Sequence, residues 1–388
     1  MTRPQDSVPR TLLAAALVLI LAILPVYLVG SLGVFIADDL GFTPTRIGSI
    51  VSAYYAVSAL VSVPGGRVVE RLGIRRSMLT AGAIAAGAML AIGLAATSWF
   101  WVAAFLAFAG IANGMGQPSA NLSLIRSVPQ RALGTAFGIK QSSGPIATLA
   151  AGSAVPIVAQ FAGWRATFVT AAGLFVLLSI AVPRVKDAAP ATGTRPVVRR
   201  EPGQLPLAVV SAFGAGAAAT APAFLVVAVV DRGGPAGLGG VAIMAGSLVA
   251  IGVRLVAGFT VDRSSRFAPS MMVVMLLATG AAGFGVLAVA SSPVAWIAGA
   301  MLVFGAGWGW PGVFHHSVAA LYSHAPAAAT GVTMTGVYLG SVLAPPVFGL
   351  LAEFVSFTAA WSFSGTLGLG GALVMRRVIA AQASSSRV

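Results

Sequence analysis

Two cations stand inside long apolar stretches of this sequence. Lys140 is followed at once by Gln141, Ser142 and Ser143, and Arg254 comes shortly before Gly258 and Asp262. A charge within a membrane span costs ~2.5–3.5 kcal/mol on insertion scales, so each is a candidate functional group. No acidic residue falls well inside the same stretches; Asp38, Asp39, Asp231 and Glu353 lie at their ends. Two cations without buried counter-charges call for an anion. Carboxylate is the simplest choice, because a guanidinium grips its two oxygens with parallel hydrogen bonds. Plainer roles compete: Lys140 can snorkel to the surface, and Arg254 can be a structural or gating partner.

Neutral polar groups accompany them. Asn113, Gln117 and Asn121 fall at i, i+4 and i+8, a continuous stripe on one helical face. Such a stripe lines a cavity or glues helices together. Trp308, Gly312 and His315 share a face further on, with Trp310, Pro311 and His316 nearby. A histidine there could take a proton near neutral pH, beside an aromatic wall for an organic substrate; which of His315 and His316 faces inward is open from sequence. Tyr27 and Tyr338 are candidate hydroxyl donors, with core packing the competing role. The candidate substrate-binding set is thus Lys140, Arg254, Gln141, Asn113, Gln117, Asn121, Trp308, His315, Tyr27 and Tyr338.

The surrounding chain sets the medium. Of 388 residues, 58% are hydrophobic and only 8% charged, against about 25% charged in soluble domains. Apolar runs recur at about 20 residues, enough to cross a ~30 Å hydrocarbon core. Uninterrupted spans of that length must be helices, whose backbone bonds close internally. The pattern predicts an all-α integral membrane protein of twelve transmembrane helices in two pseudo-symmetric six-helix bundles. The spans are roughly 11–37, 44–66, 77–97, 99–124, 133–160, 165–183, 205–230, 238–261, 268–290, 293–320, 328–352 and 359–379. Thr43-Pro44 and Ser292-Pro293 place a capping hydroxyl before a first-turn proline, and Ser98 can cap in the same way. A hydrophilic connection rich in proline and charge divides the domains, 1–183, 184–204 and 205–388.

A net charge of +14 could suggest nucleic acid, but its distribution is topological. With the N-terminus inside, eighteen of the 23 Lys and Arg residues fall in cytoplasmic segments and only Arg46, Arg165 and Arg232 outside. The positive-inside rule then puts both termini and the linker in the cytoplasm, with the chain in the cell inner (plasma) membrane. No cysteine is present, so thiolate metal sites are impossible; no metal or other cofactor is expected. The first span lacks a short apolar region and cleavage site and reads as a retained helix.

The halves repeat. Gly66-Arg67-Val68-Val69-Glu70-Arg71-Leu72-Gly73-Ile74-Arg75-Arg76 has a second, weaker copy in Gly258-Phe259-Thr260-Val261-Asp262-Arg263, about half the chain later. Gly114-x-Gly116-x-Pro118 is matched by Gly307-x-Gly309-x-Pro311, and Pro129-x4-Gly134 by Pro326-x4-Gly331. Internal symmetry of this kind suits a two-half transporter.

With that loop between spans two and three and its copy between eight and nine, the whole chain resembles the major facilitator superfamily. Glu70 stands where the family usually has Asp, with the charge kept. The resemblance implies a transporter whose halves rock about a central site. Gly66, Glu70, Arg71, Gly73, Arg75, Arg76, Gly258, Asp262 and Arg263 would then be gating residues. Ion pairs there are worth ~0–1 kcal/mol each, suited to a switch that reverses. Arg254-x3-Gly258 also resembles the monocarboxylate and oxalate carriers, whose arginine in that helix binds substrate. No phosphate-binding loop for ATP occurs, so an ion or substrate gradient is the expected drive.

The residues and the resemblance together lead to a secondary transporter, not an enzyme, moving a small organic anion by proton symport. The expected partners are the substrate, the proton and the lipid bilayer; the chain is expected to be a monomer. The rival is a multidrug efflux antiporter of the same superfamily. Such pumps resemble one another through Gly-x3-Gly-Pro in the fifth span; here Gly144-Pro145 is present, but Lys140 replaces the first glycine. A membrane sensor without transport would leave the doubled loop unexplained.

Overall fold

Proline and glycine punctuate the apolar runs, and several helices divide where they fall. A computed structural model describes residues 7–129, 133–182, 204–263, 269–322 and 326–385. The linker up to residue 203 lies outside the described residues, as do the side chains of Asp262 and Arg263.

Among the described residues the elements are all helical. They are α1 (Ser7–Ser31), α2 (Gly33–Leu40), α3 (Pro44–Leu72), α4 (Ile74–Ala95), α5 (Trp99–Ser127), α6 (Leu133–Gln141) and α7 (Ser143–Ala154). A π-helical turn, Val155–Ala159, leads into α8 (Gln160–Ala172) and α9 (Leu174–Ala181). Then come α10 (Gln204–Asp231), α11 (Ala236–Arg263), α12 (Pro269–Val289), α13 (Pro293–Gly305), α14 (Trp310–Leu321), α15 (Pro326–Phe354) and α16 (Phe357–Ser385). Among the described residues, ten helical stretches are long and apolar enough to cross a membrane. One of them, Ala136–Ala181, runs for 46 residues, and Gly163 breaks it with φ 80°, ψ 168°. Leu60, Leu94, Phe161, Ile180, Val289 and Val294 expose their apolar side chains, as lipid-facing positions do.

Several boundaries differ from the sequence reading for identifiable reasons. The expected helix 133–160 divides at Ser142, three residues before Pro145, which has no N–H for the Gln141 carbonyl. It loosens again at the π-helical turn, which contains Pro156. The expected helix 293–320 breaks over 306–309, a Gly-rich turn that ends before Pro311. Ser292 caps α13, accepting from the Ala295 N–H at 3.3 Å. Ser98 precedes α5 without making a side-chain cap.

The chain forms two compact units, Met1–Phe42 with Ala53–Thr194, and Thr43–Ser52 with Arg195–Val388. In the first, α1 packs on α5 and α7, and α4 on α5 and α8. Glycines let the backbones of α3 and α5 meet: a Cβ on Gly110 would stand 2.5 Å from the Tyr54 carbonyl oxygen. The Ser58 hydroxyl, donating to Tyr54 O at 2.9 Å and Gly110 O at 3.1 Å, pins that crossing. In the second unit α10 packs on α15 and α16, α11 on α13, and α12 on α13 and α16. Gly336 and Gly340 press against the Ala208 and Ala212 carbonyls, and Ser211 donates to Thr333 O at 2.7 Å.

Each unit has an arginine that ties helix ends together. In the first, Arg165 bonds Asp39 at 3.1 Å and the Ala96 carbonyl, just after α4, at 2.9 Å. Its guanidinium lies 4.3 Å from the centre of the Trp164 ring, and the Trp164 indole N–H reaches the same Asp39 oxygen at 3.3 Å. In the second, Arg232 bonds the Ala290 and Ala288 carbonyls at 2.8 and 2.7 Å and the Thr358 hydroxyl at 2.7 Å. The end of α4, like that of α12, has carbonyls without helical donors, and an arginine satisfies them. Glu353, in the last turn of α15, accepts from the Thr45 N–H at the start of α3 at 3.0 Å.

Candidate functional site

Among the described residues, the first unit holds one buried cation. Lys140, near the end of α6, is 6% exposed. Its ammonium donates to Asn121 Oδ1 on α5 at 2.7 Å and lies 5.8 Å from the centre of the Phe137 ring. The lysine does not snorkel to an exposed position; it is held inside by a neutral amide and an aromatic face. Burying an ammonium without an anion is unfavourable, so this arrangement persists at a cost to the fold. Asn113, one face-repeat from Gln117, is buried, while Gln117, Asn121 and Gln141 are half-buried. The structure thus joins Lys140 to the end of the Asn113–Gln117–Asn121 stripe. Phe137 and Ser143, both close to Lys140 in sequence, were absent from the sequence-based set. Neither an aromatic nor a serine in an apolar run signals more than packing.

In the second unit the half-buried Arg254 on α11 turns its guanidinium to the turn between α13 and α14. Nη2 donates to the Trp308 carbonyl at 2.9 Å and Nε to the same oxygen at 3.3 Å. That carbonyl belongs to the turn over 306–309, between the end of α13 and the start of α14. Trp308 is itself fixed: its ring is 6% exposed, its indole N–H donates to Ala218 O at 2.8 Å, and Phe304 lies 5.3 Å away centre to centre. Trp308 therefore meets Arg254 through its backbone, while its ring is buried.

His315 and His316 separate clearly. His315 is half-buried; its Nδ1–H donates to the Pro311 carbonyl at 2.7 Å, and Phe314 packs edge-on at 5.8 Å. His316 is exposed. Tyr27 is buried, and Tyr338 half-buried.

The motif between α3 and α4 turns on one residue. Gly73 has φ 83°, ψ 162°, a region open essentially to glycine alone. It lets α4 start directly after α3, with the Gly73 N–H on Val69 O at 3.0 Å and the Ser77 N–H on Gly73 O at 3.1 Å. Glu70, Arg71 and Arg76 are exposed and Arg75 half-buried, while Gly66 lies on α3 and Gly258 on α11. Gly163, before Trp164-Arg165, adopts nearly the same backbone angles as Gly73 before Ile74-Arg75.

The family model described as Major Facilitator Superfamily matches residues 15–333. The chain belongs to the major facilitator superfamily. Its fold is similar to that of a bacterial homologue of the human lysosomal transporter Spinster, solved inward-facing in unoccupied and occupied conformations. The TM-score is 0.69 at 15% identity in each case. The match covers 97% of this chain and 96% of the unoccupied structure, and 100% and 98% for the occupied one. At that identity the likeness is one of fold. A curated relative, the chloramphenicol resistance protein of Streptomyces lividans, is 31% identical over 167 residues. That match spans 42% of this chain and 42% of the relative. This member of the superfamily is a multi-pass membrane transporter and not an enzyme.

Proposed function

We propose that the chain is a secondary transporter of a small organic carboxylate, working by alternating access across twelve membrane crossings. The observation that carries the reading is Lys140: a 6% exposed ammonium whose polar partner is the neutral amide of Asn121. Among the described residues, the acidic ones (Asp38, Asp39, Glu70, Asp231, Asp262 and Glu353) all fall in the last turns of their helices. An anion arriving as substrate supplies the charge that the protein does not. Arg254, whose guanidinium bonds the Trp308 carbonyl, is the cation proposed to meet the substrate from the second unit, where it can grip both carboxylate oxygens.

The transporter is further proposed to act as a monomer in the cell inner membrane, with both termini cytoplasmic and proton symport as the drive. Twelve crossings follow if Ala136–Ala181 crosses twice about Gly163 and α16 supplies the last. Gly66–Arg76 and Gly258–Arg263 are then the gating segments, and Asn113, Gln117, Gln141, Tyr27, Tyr338, Trp308 and His315 further substrate-binding residues.

Efflux of a drug is the second reading, favoured by the partial likeness to the chloramphenicol resistance protein. Lys140 counts against it, since it occupies the position of a glycine in the antiporter-like Gly-x3-Gly-Pro pattern. Thermal-shift measurements on purified protein separate the two. Stabilisation by lactate, benzoate or succinate, lost in Lys140→Ala, supports the carboxylate reading. Stabilisation by chloramphenicol alone, retained in Lys140→Ala, replaces it with the drug reading.

A further inference from the structure

Ser143 lies three residues after Lys140, and its hydroxyl is buried, 2% exposed, without a hydrogen-bond partner. Hydroxyls inside helices usually bond the carbonyl one turn back. Other described hydroxyls of this region do so. Ser142 donates to Gly138 O at 3.2 Å, Thr148 to Pro145 O at 3.0 Å and Ser153 to Ala150 O at 2.9 Å. Among the described residues two other buried hydroxyls lack a partner, those of Thr45 and Ser77. Neither stands one helical turn from a buried ammonium.

Ser142, between the two helices, keeps near-helical angles of φ −72° and ψ −10°, so Lys140 and Ser143, at i and i+3, start from one face of the chain. The ammonium has three donors, and Asn121 Oδ1 receives one at 2.7 Å. Between the two residues α6 gives way to α7, where Pro145 withholds a donor from Gln141. A charged donor with capacity to spare and an uncommitted buried hydroxyl are thus carried by one turn of chain, three residues apart.

We propose that Ser143 is a substrate-contacting residue: its hydroxyl and the Lys140 ammonium bond the oxygens of one carboxylate. This rests on the carboxylate reading above and extends it to a residue that neither composition nor spacing marks out. The ammonium supplies the charge, and the hydroxyl fixes the direction from which the second oxygen is held.

Calorimetric titration of the purified full-length protein with lactate, benzoate and succinate tests it. For an acid that binds wild type, Ser143→Ala should raise Kd about tenfold, the usual loss for a hydrogen bond to a charged group. The Tm of the unliganded protein should not change, and Ser143→Thr, which keeps the hydroxyl, should restore most of the affinity. Ser143→Cys, a weaker donor of similar size, should fall between and serves if the alanine protein does not fold. Wild-type Kd in both Ser143→Ala and Ser143→Cys, with binding lost in Lys140→Ala, would overturn the Ser143 assignment and leave the carboxylate reading standing. If none of the three acids binds wild type, both fall together.

Discussion

Lys140 is a residue whose chemistry and stability pull in opposite directions. Its ammonium is buried beside Asn121 and Phe137, where an apolar side chain of similar length would fit at lower cost. Replacing buried charge by apolar groups of similar volume is often neutral or stabilising. Lys140→Met should therefore melt at the wild-type temperature or a few degrees above it, and lose carboxylate binding. A Tm well below wild type in differential scanning fluorimetry would show instead that Lys140 holds the helices together. The sequence disclosed Lys140 and Arg254 directly, since charge in an apolar run is conspicuous. It did not disclose Asn121 as the partner of Lys140: that pairing spans two helices and depends on how α5 and α6 pack. Trp308 illustrates the same limit. Its spacing suggested an aromatic wall and said nothing of the backbone carbonyl that Arg254 meets.

At the scale of elements, the turns decide where the polar groups point. Prolines were visible in sequence, but their effects differ by context. Pro118 and Pro222 sit inside unbroken helices, while Pro145 and Pro156 accompany a division and a π-helical turn. Apolar periodicity carries smoothly over residues 306–309, so nothing in it announced the break that presents the Trp308 carbonyl to Arg254. Gly73 stood out through its motif, and Gly163 did not, although both take a backbone shape reserved for glycine. Gly73→Ala and Gly163→Ala should each cost about 1–3 kcal/mol. Gly87→Ala, inside α4 where an added Cβ meets nothing within 4 Å, should stabilise by about 0.5–1 kcal/mol. Equal melting temperatures for the three would contradict a strained role for the turn glycines.

For the whole molecule, composition and the repeated motif were enough to reach the superfamily. The sequence also isolated Arg165 and Arg232 as exceptions to the charge bias, and the structure gives them work: each holds the carbonyls after one helix against a second element. The sequence contains no cysteine, which makes single-cysteine labelling clean. Thr97, exposed just after α4, and Thr192 in the linker are separated by α5 and the stretch Ala136–Ala181. If that stretch crosses twice, Thr97→Cys and Thr192→Cys should react with an impermeant maleimide from opposite sides of a sealed vesicle. Reaction from the same side would mean a single crossing and would undo the twelve-span arrangement.

The carboxylate claim is tested most directly by uptake of radiolabelled lactate and benzoate into proteoliposomes containing wild type, Lys140→Met, Arg254→Ala or Arg254→Lys. The account predicts uptake of at least one acid by wild type and loss of it in Lys140→Met and Arg254→Ala. Arg254→Lys should retain the charge but lose roughly tenfold, because an ammonium cannot supply the paired donors of a guanidinium. Full uptake by folded Lys140→Met and Arg254→Ala proteins would contradict it.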